Sequence, residues 1–175
     1  VGMHPIPVRH GMTIGELAMM INEEGWLSGG VKANLKVIQY GGKPKKDDQI
    51  AAFTPPPSPN MPNRKTALNY VGFCLLEGST LSEGRGTDMP FKVLGAPFID
   101  SEKLLDAILP FLHQNDVIDT VSFIPRSLPG KSLYPKYQDE LCHGLRIQNM
   151  ENPINTTIHL FQVLQTLYPY KFQFL

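Results

Sequence analysis

The chain has 175 residues, 42% of them hydrophobic, and its sixteen basic and sixteen acidic residues give a formal net charge of zero. This length and composition are typical of one globular domain, or of a domain with part of another. A neutral chain lacks the broad positive field that attracts nucleic acid, and no apolar run approaches the roughly 20 residues of a membrane-spanning helix, so neither a nucleic-acid partner nor a membrane span is expected.

The first part of the chain carries a clear helix signal. Thr13 and Glu16 have the spacing of a capping box, and the apolar stripe that follows ends at Gly25, which predicts a helix from about Ile14 to Glu24. Leu35 to Tyr40 is predicted as a short strand. A helix followed by a strand is typical of α/β sheets, and the remaining strands of such a sheet are not in this chain.

Five prolines between Thr54 and Pro62 exclude a helix interior or a central strand. The domain boundary is therefore placed there, which divides the chain into residues 1–53 and 54–175. The second part mixes helices and strands and predicts an α+β fold. Its predicted elements are a helix over residues 65–76 that Gly72 weakens, strands over residues 91–94, 117–124 and 145–148, a helix capped by Ser101, a long polar loop over residues 127–140, and a last helix capped by Asn155.

The stretch from Glu77 to Thr87 has the composition of a site. Its eleven residues contain two carboxylates, one guanidinium and three glycines, and apolar segments lie on both sides. The glycines, Gly78 among them, are expected to adopt positive φ and to bring backbone N–H groups close to a ligand. Arg85, between two glycines, can bind a carboxylate through two parallel hydrogen bonds. Glu77 and Glu83 are candidates for the acid and base of glycoside hydrolysis, although carboxylates beside an arginine are more often a structural ion pair.

Two other stretches are candidate ligand contacts. The first precedes the predicted first helix, where a histidine could face a ligand or hydrogen-bond the turn. The second holds an asparagine between prolines. Its amide could bind a sugar, or the asparagine could simply form an ordinary Asx-turn. The candidate residues are Arg9, His10 and Gly11 in the first stretch and Ser58, Asn60 and Pro62 in the second.

No metal and no cofactor is expected. His143 and His159 have no partners at ligand spacing, and Cys74 and Cys142 are too few and too far apart for a zinc motif. The cysteines are interpreted as buried thiols, with a disulfide as the alternative. The glycine-rich stretch also lacks the Lys-Ser/Thr ending of a P-loop, which disfavours a phosphate site.

Four separated motifs occur in a fixed order. They are Pro-Ile-Pro-Val-Arg-His-Gly-Met-Thr-Ile-Gly-Glu-Leu-Ala from residue 5, Pro-Ser-Pro-Asn-Met-Pro, the stretch from Glu77 to Thr87, and Gly-Ala-Pro-Phe-Ile-Asp. Together they resemble the exo-β-N-acetylmuramidase (NamZ) family, formerly a domain-of-unknown-function family, and the resemblance covers nearly the whole chain. It implies a bacterial enzyme of cell-wall turnover that removes N-acetylmuramic acid from the non-reducing end of peptidoglycan fragments. An extracellular or periplasmic location is implied with it.

The same resemblance implies a fold in two parts. The family has a Rossmann-like α/β domain followed by a smaller mixed α+β domain, with the active site between them. Residues 1–53 then correspond to the tail end of the Rossmann-like domain and residues 54–175 to a truncated α+β domain. The missing Rossmann-like domain is expected as the partner of this chain. The residues that the resemblance assigns to the cleft are Arg9, His10, Gly11, Ser58, Asn60, Pro62, Glu77, Glu83, Gly84, Arg85 and Thr87.

The resemblance leaves the catalytic residues open. The glutamate proposed as catalytic in the family is expected outside this chain, so Glu77 and Glu83 remain candidates only through their own chemistry. The fragment alone is expected to be inactive, with muramyl glycans as the substrate of the intact protein. The alternative interpretation is a non-catalytic glycan-binding or scaffolding module.

Overall fold

The chain divides into two compact units, Val1–Ile50 and Ala51–Leu175. The structure is a computed structural model that describes residues 4–7, 10–39 and 56–175. In the first unit, helix α1 (Ile14–Glu23) begins with a complete capping box, in which Thr13 Oγ1 accepts from the Glu16 N–H at 3.2 Å and Thr13 N donates to Glu16 Oε2 at 2.7 Å. The hydrogen bond from the Thr13 backbone, and then that from its hydroxyl, lowers the pKa of Glu16. The predicted first helix is confirmed.

The strand predicted over Leu35 to Tyr40 does not form within residues 35–39, which are exposed, and Tyr40 lies outside the described residues. Among the described residues of the first unit there is no other strand to pair with it. Because a strand is stable only when its backbone exchanges hydrogen bonds with a neighbour, a strand-like sequence is not sufficient by itself.

The second unit is a mixed α+β structure built on an antiparallel sheet, which confirms the fold predicted for this part of the chain. Its central strand is the last in sequence, since the strand order is β1-β3-β2. The strands are β1 (Val93–Ala96), β2 (Val117–Phe123) and β3 (Cys142–Asn149), and the helices are α2 (Arg64–Phe73), α3 (Ser101–Ile108) and α4 (Pro153–Leu167). Short 3-10 turns at Cys74–Gly78 and Leu109–Phe111 follow α2 and α3.

Two helices of this unit are capped by residues other than those predicted. Asp100 caps α3 by accepting from the Lys103 N–H at 3.1 Å, and Asn152 caps α4 by accepting from the Asn155 N–H at 3.2 Å. Asp and Asn are as effective at this position as Ser, so the sequence contains two suitable caps in each case, one residue apart at α3 and three apart at α4. The predicted caps Ser101 and Asn155 lie within the first turn of each helix instead.

The main core lies between the helices and one face of the sheet. Leu94 and Leu145 are partners in the β1–β3 register, and they share one buried cluster with Leu104 of α3 and Leu160 of α4. A smaller cluster contains Val93, Phe123 and Cys142, as expected when side chains alternate across a strand. The main cluster also contains the loop residues Leu76, Leu81 and Phe91. Hydrophobic burial therefore anchors the polar stretch within the fold.

Gly72 brings α2 and α4 close together. A Cβ atom at this position would lie 2.3 Å from the backbone carbon and oxygen of Pro153. The glycine that weakens the helix signal in the sequence is thus required where the two helices cross.

Both cysteines are free thiols. Cys142 is buried, and its burial raises the pKa of the thiol to about 12, while Cys74 is half-buried with a pKa raised mainly by the same cause. No helix among the described residues is long and apolar enough to cross a membrane.

Candidate functional site

The polar stretch from Glu77 to Thr87 is a loop whose backbone is fixed at several points. Ser82 and Gly95 exchange two backbone hydrogen bonds, of 2.8 and 3.0 Å, which attach the loop to β1. Thr80 N donates to the carbonyl of Gln173 at 2.9 Å, which attaches it to the end of the chain. The loop is therefore held by secondary structure on one side and by the C-terminal segment on the other.

Two of the three glycines have the expected conformation. Gly84 and Gly86 have φ values of 81° and 80°, and a Cβ atom would lie 2.8 Å from the Met89 carbonyl oxygen in the first case and 2.6 Å from that of Arg126 in the second. Gly78 does not have positive φ and has open space around it, so the expectation for that glycine was wrong. Thr87 closes the turn, because its Oγ1 donates to the Gly84 carbonyl at 2.7 Å.

The charged side chains of the loop meet around Arg85. Its Nη2 donates to Glu77 Oε1 at 3.0 Å, its Nε lies 3.4 Å from Glu83 Oε1, and its guanidinium carbon lies 5.2 Å from the centre of the Phe91 ring. The Arg85 side chain is 30% exposed, and Nη1 has no hydrogen-bond partner within residues 56–175. Arg85 is thus held on one edge and one face while another edge stays open.

Lys136 completes the cluster and was not predicted. Its Nζ lies 3.2 Å from Glu83 Oε2 and donates to the carbonyls of Leu76, Glu77 and Leu81 at 2.9 to 3.0 Å. An ammonium has three N–H groups, and these three carbonyls are enough to accept from all of them. Oε2 of the buried Glu83 consequently has a cation beside it but no hydrogen bond from the described residues.

A charge count is the one signal in the sequence that points to such a cation. Glu77, Glu83 and Arg85 sum to one negative charge, and a buried carboxylate requires a compensating partner. The sequence does not say which cation supplies it, because Lys136 is 59 residues away from Glu77 along the chain.

The long loop between β2 and β3 lies against the polar stretch. Arg126 N donates to the Gly86 carbonyl at 2.8 Å, and the Tyr137 hydroxyl donates to the Thr80 carbonyl at 2.6 Å. Partial burial raises the pKa of Tyr137, so this hydroxyl remains a donor at neutral pH. The loop predicted from its prolines and polarity therefore forms a second layer of the same site.

Backbone strain is concentrated around the same two loops. Phe91, Tyr137 and Asp139 are the non-glycine residues with positive φ in the described part of the chain, at 56°, 54° and 64°. Such conformations are unfavourable for L-residues and persist where the surrounding structure imposes them, often at functional sites. Phe91 lies beneath Arg85, and Tyr137 follows Lys136 directly.

The proline-flanked stretch contacts the β2–β3 loop as well. Asn60 is buried, and its Nδ2 donates to the Lys131 carbonyl at 2.8 Å. Ser58 Oγ accepts from the Asn60 N–H at 3.3 Å, and Ser58 pairs with Met61 in an isolated bridge, while Pro62 is exposed. The amide donor of Asn60 is therefore used within the protein.

The candidates of the first unit are only partly described. Arg9 lies outside the described residues. His10 Nδ1 accepts from the Met12 N–H at 3.1 Å, and Gly11 has a φ of 70°. The histidine thus makes the turn hydrogen bond that the sequence suggested as one of its two roles.

A polar concavity of about 600 Å³ lies elsewhere in the second unit and contains none of the predicted site residues. It lies between α3 and the strands β2 and β3, and its polar groups bond one another: Ser122 Oγ lies 2.8 Å from His143 Nδ1, and Thr120 Oγ1 donates to Glu102 at 3.3 Å. Over the residues that the structure describes, no group of three or more His, Cys, Asp or Glu side chains could hold a metal ion.

Comparison with protein families gives two matches. The model described as "Exo-beta-N-acetylmuramidase NamZ, C-terminal" matches residues 68–175, and the corresponding N-terminal model matches residues 1–65. The chain is 37% identical over 183 residues to the peptidoglycan beta-N-acetylmuramidase NamZ of Bacillus subtilis (strain 168), and the match covers 100% of this chain and 41% of that protein.

Two solved structures of DUF1343 family proteins from Bacteroides fragilis NCTC 9343 are similar to the chain. One has a TM-score of 0.69 at 33% identity, covering 94% of this chain and 42% of that one. The other has a TM-score of 0.74 at 25% identity, covering 95% and 43%. The chain thus spans less than half the length of each of these relatives.

Proposed function

Because the chain belongs to the exo-β-N-acetylmuramidase NamZ family, we propose that it is part of a glycoside hydrolase that removes N-acetylmuramic acid from the non-reducing end of peptidoglycan fragments. The B. subtilis relative is named as an enzyme of this activity, and the chain corresponds to 41% of its length. In this proposal the intact protein also contains a Rossmann-like domain, of which residues 1–53 are the end. Since peptidoglycan lies outside the cytoplasmic membrane, the enzyme would act extracellularly or in the periplasm.

The role proposed for this chain rests on one observation, the open edge of the Arg85 guanidinium. N-acetylmuramic acid differs from N-acetylglucosamine by a lactyl group that ends in a carboxylate. A guanidinium binds a carboxylate through two parallel hydrogen bonds, and Arg85 has an open edge and 30% of its side chain exposed. In the proposed enzyme, Arg85 binds the lactyl carboxylate, and the loops around it form one wall of the substrate cleft.

The two glutamates serve mainly to hold Arg85 in this proposal. Hydrolysis needs a carboxylic acid within reach of the glycosidic oxygen and a second group that stabilises the oxocarbenium-like centre. Glu83 is 4% exposed and lies between two cations, a setting that suits support of Arg85 better than proton transfer to a substrate. A catalytic role for Glu77 or Glu83 stays a prediction, and the general acid is proposed to lie elsewhere in the intact protein.

The test replaces Arg85 with Ala in the intact protein and follows release of a chromogenic aglycone. Loss of a hydrogen-bonded charge pair should raise KM for a muramyl glycoside by about tenfold or more. KM for the matching N-acetylglucosaminyl glycoside, which lacks the lactyl group, should change much less. Arg126→Ala is the matched control, because that guanidinium is 62% exposed and paired with Asp139. Equal losses on both glycosides would exclude the proposed role of Arg85.

A non-catalytic glycan-binding module is the second candidate, and the burial of Glu83 favours it. The Glu83 carboxylate is buried between Arg85 and Lys136 rather than exposed at a surface where a sugar could bind. Saturable binding of muramyl glycans without turnover by the intact protein would support this module over the hydrolase.

A further inference from the structure

We propose that Lys136 is a positioning residue for Arg85, and that it determines how strongly the site discriminates a muramyl from a glucosaminyl sugar. This inference rests on the proposed role of Arg85 in binding the lactyl carboxylate. Lys136 belongs to the β2–β3 loop, and it does not need to touch the substrate.

Lys136 holds in place the backbone of the segment that contains Glu77 and Glu83. Its ammonium group binds the carbonyls of Leu76 and Glu77 at the end of the 3-10 turn and that of Leu81 in the loop. Without Lys136 these three carbonyls would lose a charged hydrogen-bond donor, and the segment that they belong to would lose its attachment to the β2–β3 loop.

Lys136 also fixes the Glu83 carboxylate. Oε2 lies 3.2 Å from Lys136 Nζ, and Oε1 lies 3.4 Å from Arg85 Nε, so the carboxylate is held between the two cations. Charges that are shielded from water interact more strongly than exposed ones, and the Glu83 side chain is 5% exposed. We therefore infer that Lys136 fixes the orientation of the Glu83 carboxylate, and with it the position of the oxygen that Arg85 contacts.

Two routes lead from Lys136 to Arg85. One passes through the Glu83 carboxylate, and the other through Glu77, whose carbonyl accepts from Lys136 and whose carboxylate accepts from Arg85 Nη2 at 3.0 Å. Both carboxylates that hold the guanidinium thus belong to residues that Lys136 contacts. Removal of Lys136 should loosen both at once and leave Arg85 with only the Phe91 ring as a fixed neighbour.

The experiment measures discrimination, defined as kcat/KM for a muramyl glycoside divided by kcat/KM for the matching N-acetylglucosaminyl glycoside. Lys136→Met keeps an unbranched side chain, one atom shorter, and removes the ammonium group. In the intact protein it should lower discrimination by about tenfold, mainly through KM of the muramyl glycoside. Lys131→Met is the matched control, since Lys131 is an exposed lysine of the same loop, and it should leave discrimination unchanged.

The double variant Arg85→Ala, Lys136→Met separates positioning from general weakening. If Lys136 acts through Arg85, adding Lys136→Met to Arg85→Ala should lower stability but should lower discrimination no further. The proposal would be overturned if Lys136→Met lowered kcat/KM equally for both glycosides. It would also be overturned if the losses of discrimination caused by the two substitutions multiplied in the double variant.

Failure of this inference is distinct from failure of the proposed function. If Arg85→Ala leaves discrimination unchanged, the proposed function of Arg85 fails; if Arg85→Ala removes it and Lys136→Met does not, only the inference on Lys136 fails. Should Lys136→Met not fold, the double variant Glu77→Gln, Glu83→Gln tests both routes. It neutralises the two carboxylates that hold Arg85 and keeps the three backbone carbonyls that Lys136 binds. It should also lower discrimination through KM of the muramyl glycoside, and unchanged discrimination in that variant would overturn the proposal.

Discussion

The second unit contains two charged clusters that differ in burial. The loop cluster consists of Glu77, Glu83, Arg85 and Lys136. The sheet cluster consists of Asp119, Arg146 and Gln148, and its Asp119 and Arg146 are partners in the β2–β3 register. The sheet cluster has the better hydrogen-bond geometry, but its Asp119 and Arg146 are only half-buried, whereas the carboxylate of Glu83 is buried. Burial rather than distance is expected to decide which cluster the fold depends on.

The two clusters also differ in what they leave unbonded. Arg146 binds both carboxylate oxygens of Asp119, and Gln148 donates to one of them at 2.9 Å. In the loop cluster, the described residues leave Glu83 Oε2 without a hydrogen bond and Arg85 Nη1 without a partner. Glu83 Oε2 is buried beside Lys136, whereas the open edge of Arg85 belongs to a side chain that is 30% exposed and can bind an anionic ligand. This contrast favours the loop cluster as the site.

The largest loss of stability is expected when the two loops that form the loop cluster are pushed apart. Gly86→Ala puts a side chain at a φ of 80° and 2.6 Å from the Arg126 carbonyl oxygen. It should destabilise the protein by roughly 2–4 kcal/mol, the sum of left-handed strain and overpacking. Thermal unfolding checks this value.

Gly130→Ala is the control for that prediction. Gly130, in the β2–β3 loop, has a φ of 77°, but a Cβ atom at this position would have nothing within 4 Å, so only left-handed strain, about 1–2 kcal/mol, should appear. Equal effects of Gly86→Ala and Gly130→Ala would mean that the contact between the loops contributes little.

Glu83→Gln should cause the next largest loss of stability. It retains the shape of the side chain but leaves the two cations beside it without their shared carboxylate, and we expect a loss of about 2 kcal/mol, less than for a fully buried pair because Arg85 and Lys136 are partly exposed. Thermal unfolding and steady-state kinetics measured together check it. A large fall in kcat with unchanged stability would instead identify Glu83 as a catalytic group.

Asp119→Asn in the sheet cluster should have the smallest effect. The hydrogen bond from Arg146, aided by one from Gln148, lowers the pKa of Asp119 below its usual range. A lowered pKa means that the pair stabilises the fold above the ordinary aspartate pKa and that this contribution disappears as pH falls through the lowered value. Since more than a third of each side chain is exposed to water, the contribution is small and should decrease with added salt.

The measurement compares thermal unfolding of the wild type and Asp119→Asn from neutral pH into the acid range. The difference between them should vanish at low pH. A difference as large as that of Glu83→Gln at neutral pH would contradict the expected dependence on burial.

Local features of this protein were readable from the sequence. The capping box of Thr13 and Glu16 spans four residues, and Glu77, Glu83 and Arg85 meet within one short stretch of chain, so short-range chain geometry was enough to predict both. The order of helices and strands in the second unit followed from periodicity and prolines in the same way. The four motifs were sufficient to indicate the family.

Only the tertiary structure decided what depends on distant segments. The carbonyls and carboxylate that Lys136 contacts lie up to 60 residues away, and Asn60 bonds to a carbonyl 71 residues further on. The strand predicted over Leu35 to Tyr40 lacks a pairing partner in the described part of its unit, and Gly72 proved necessary because α4 crosses it. Burial, pairing and charge compensation depend on which segments meet in space, and one-dimensional spacing carries no record of that. The sequence singled out Arg85 as a candidate site residue, and the fold showed that the Glu83 carboxylate lies between Arg85 and Lys136.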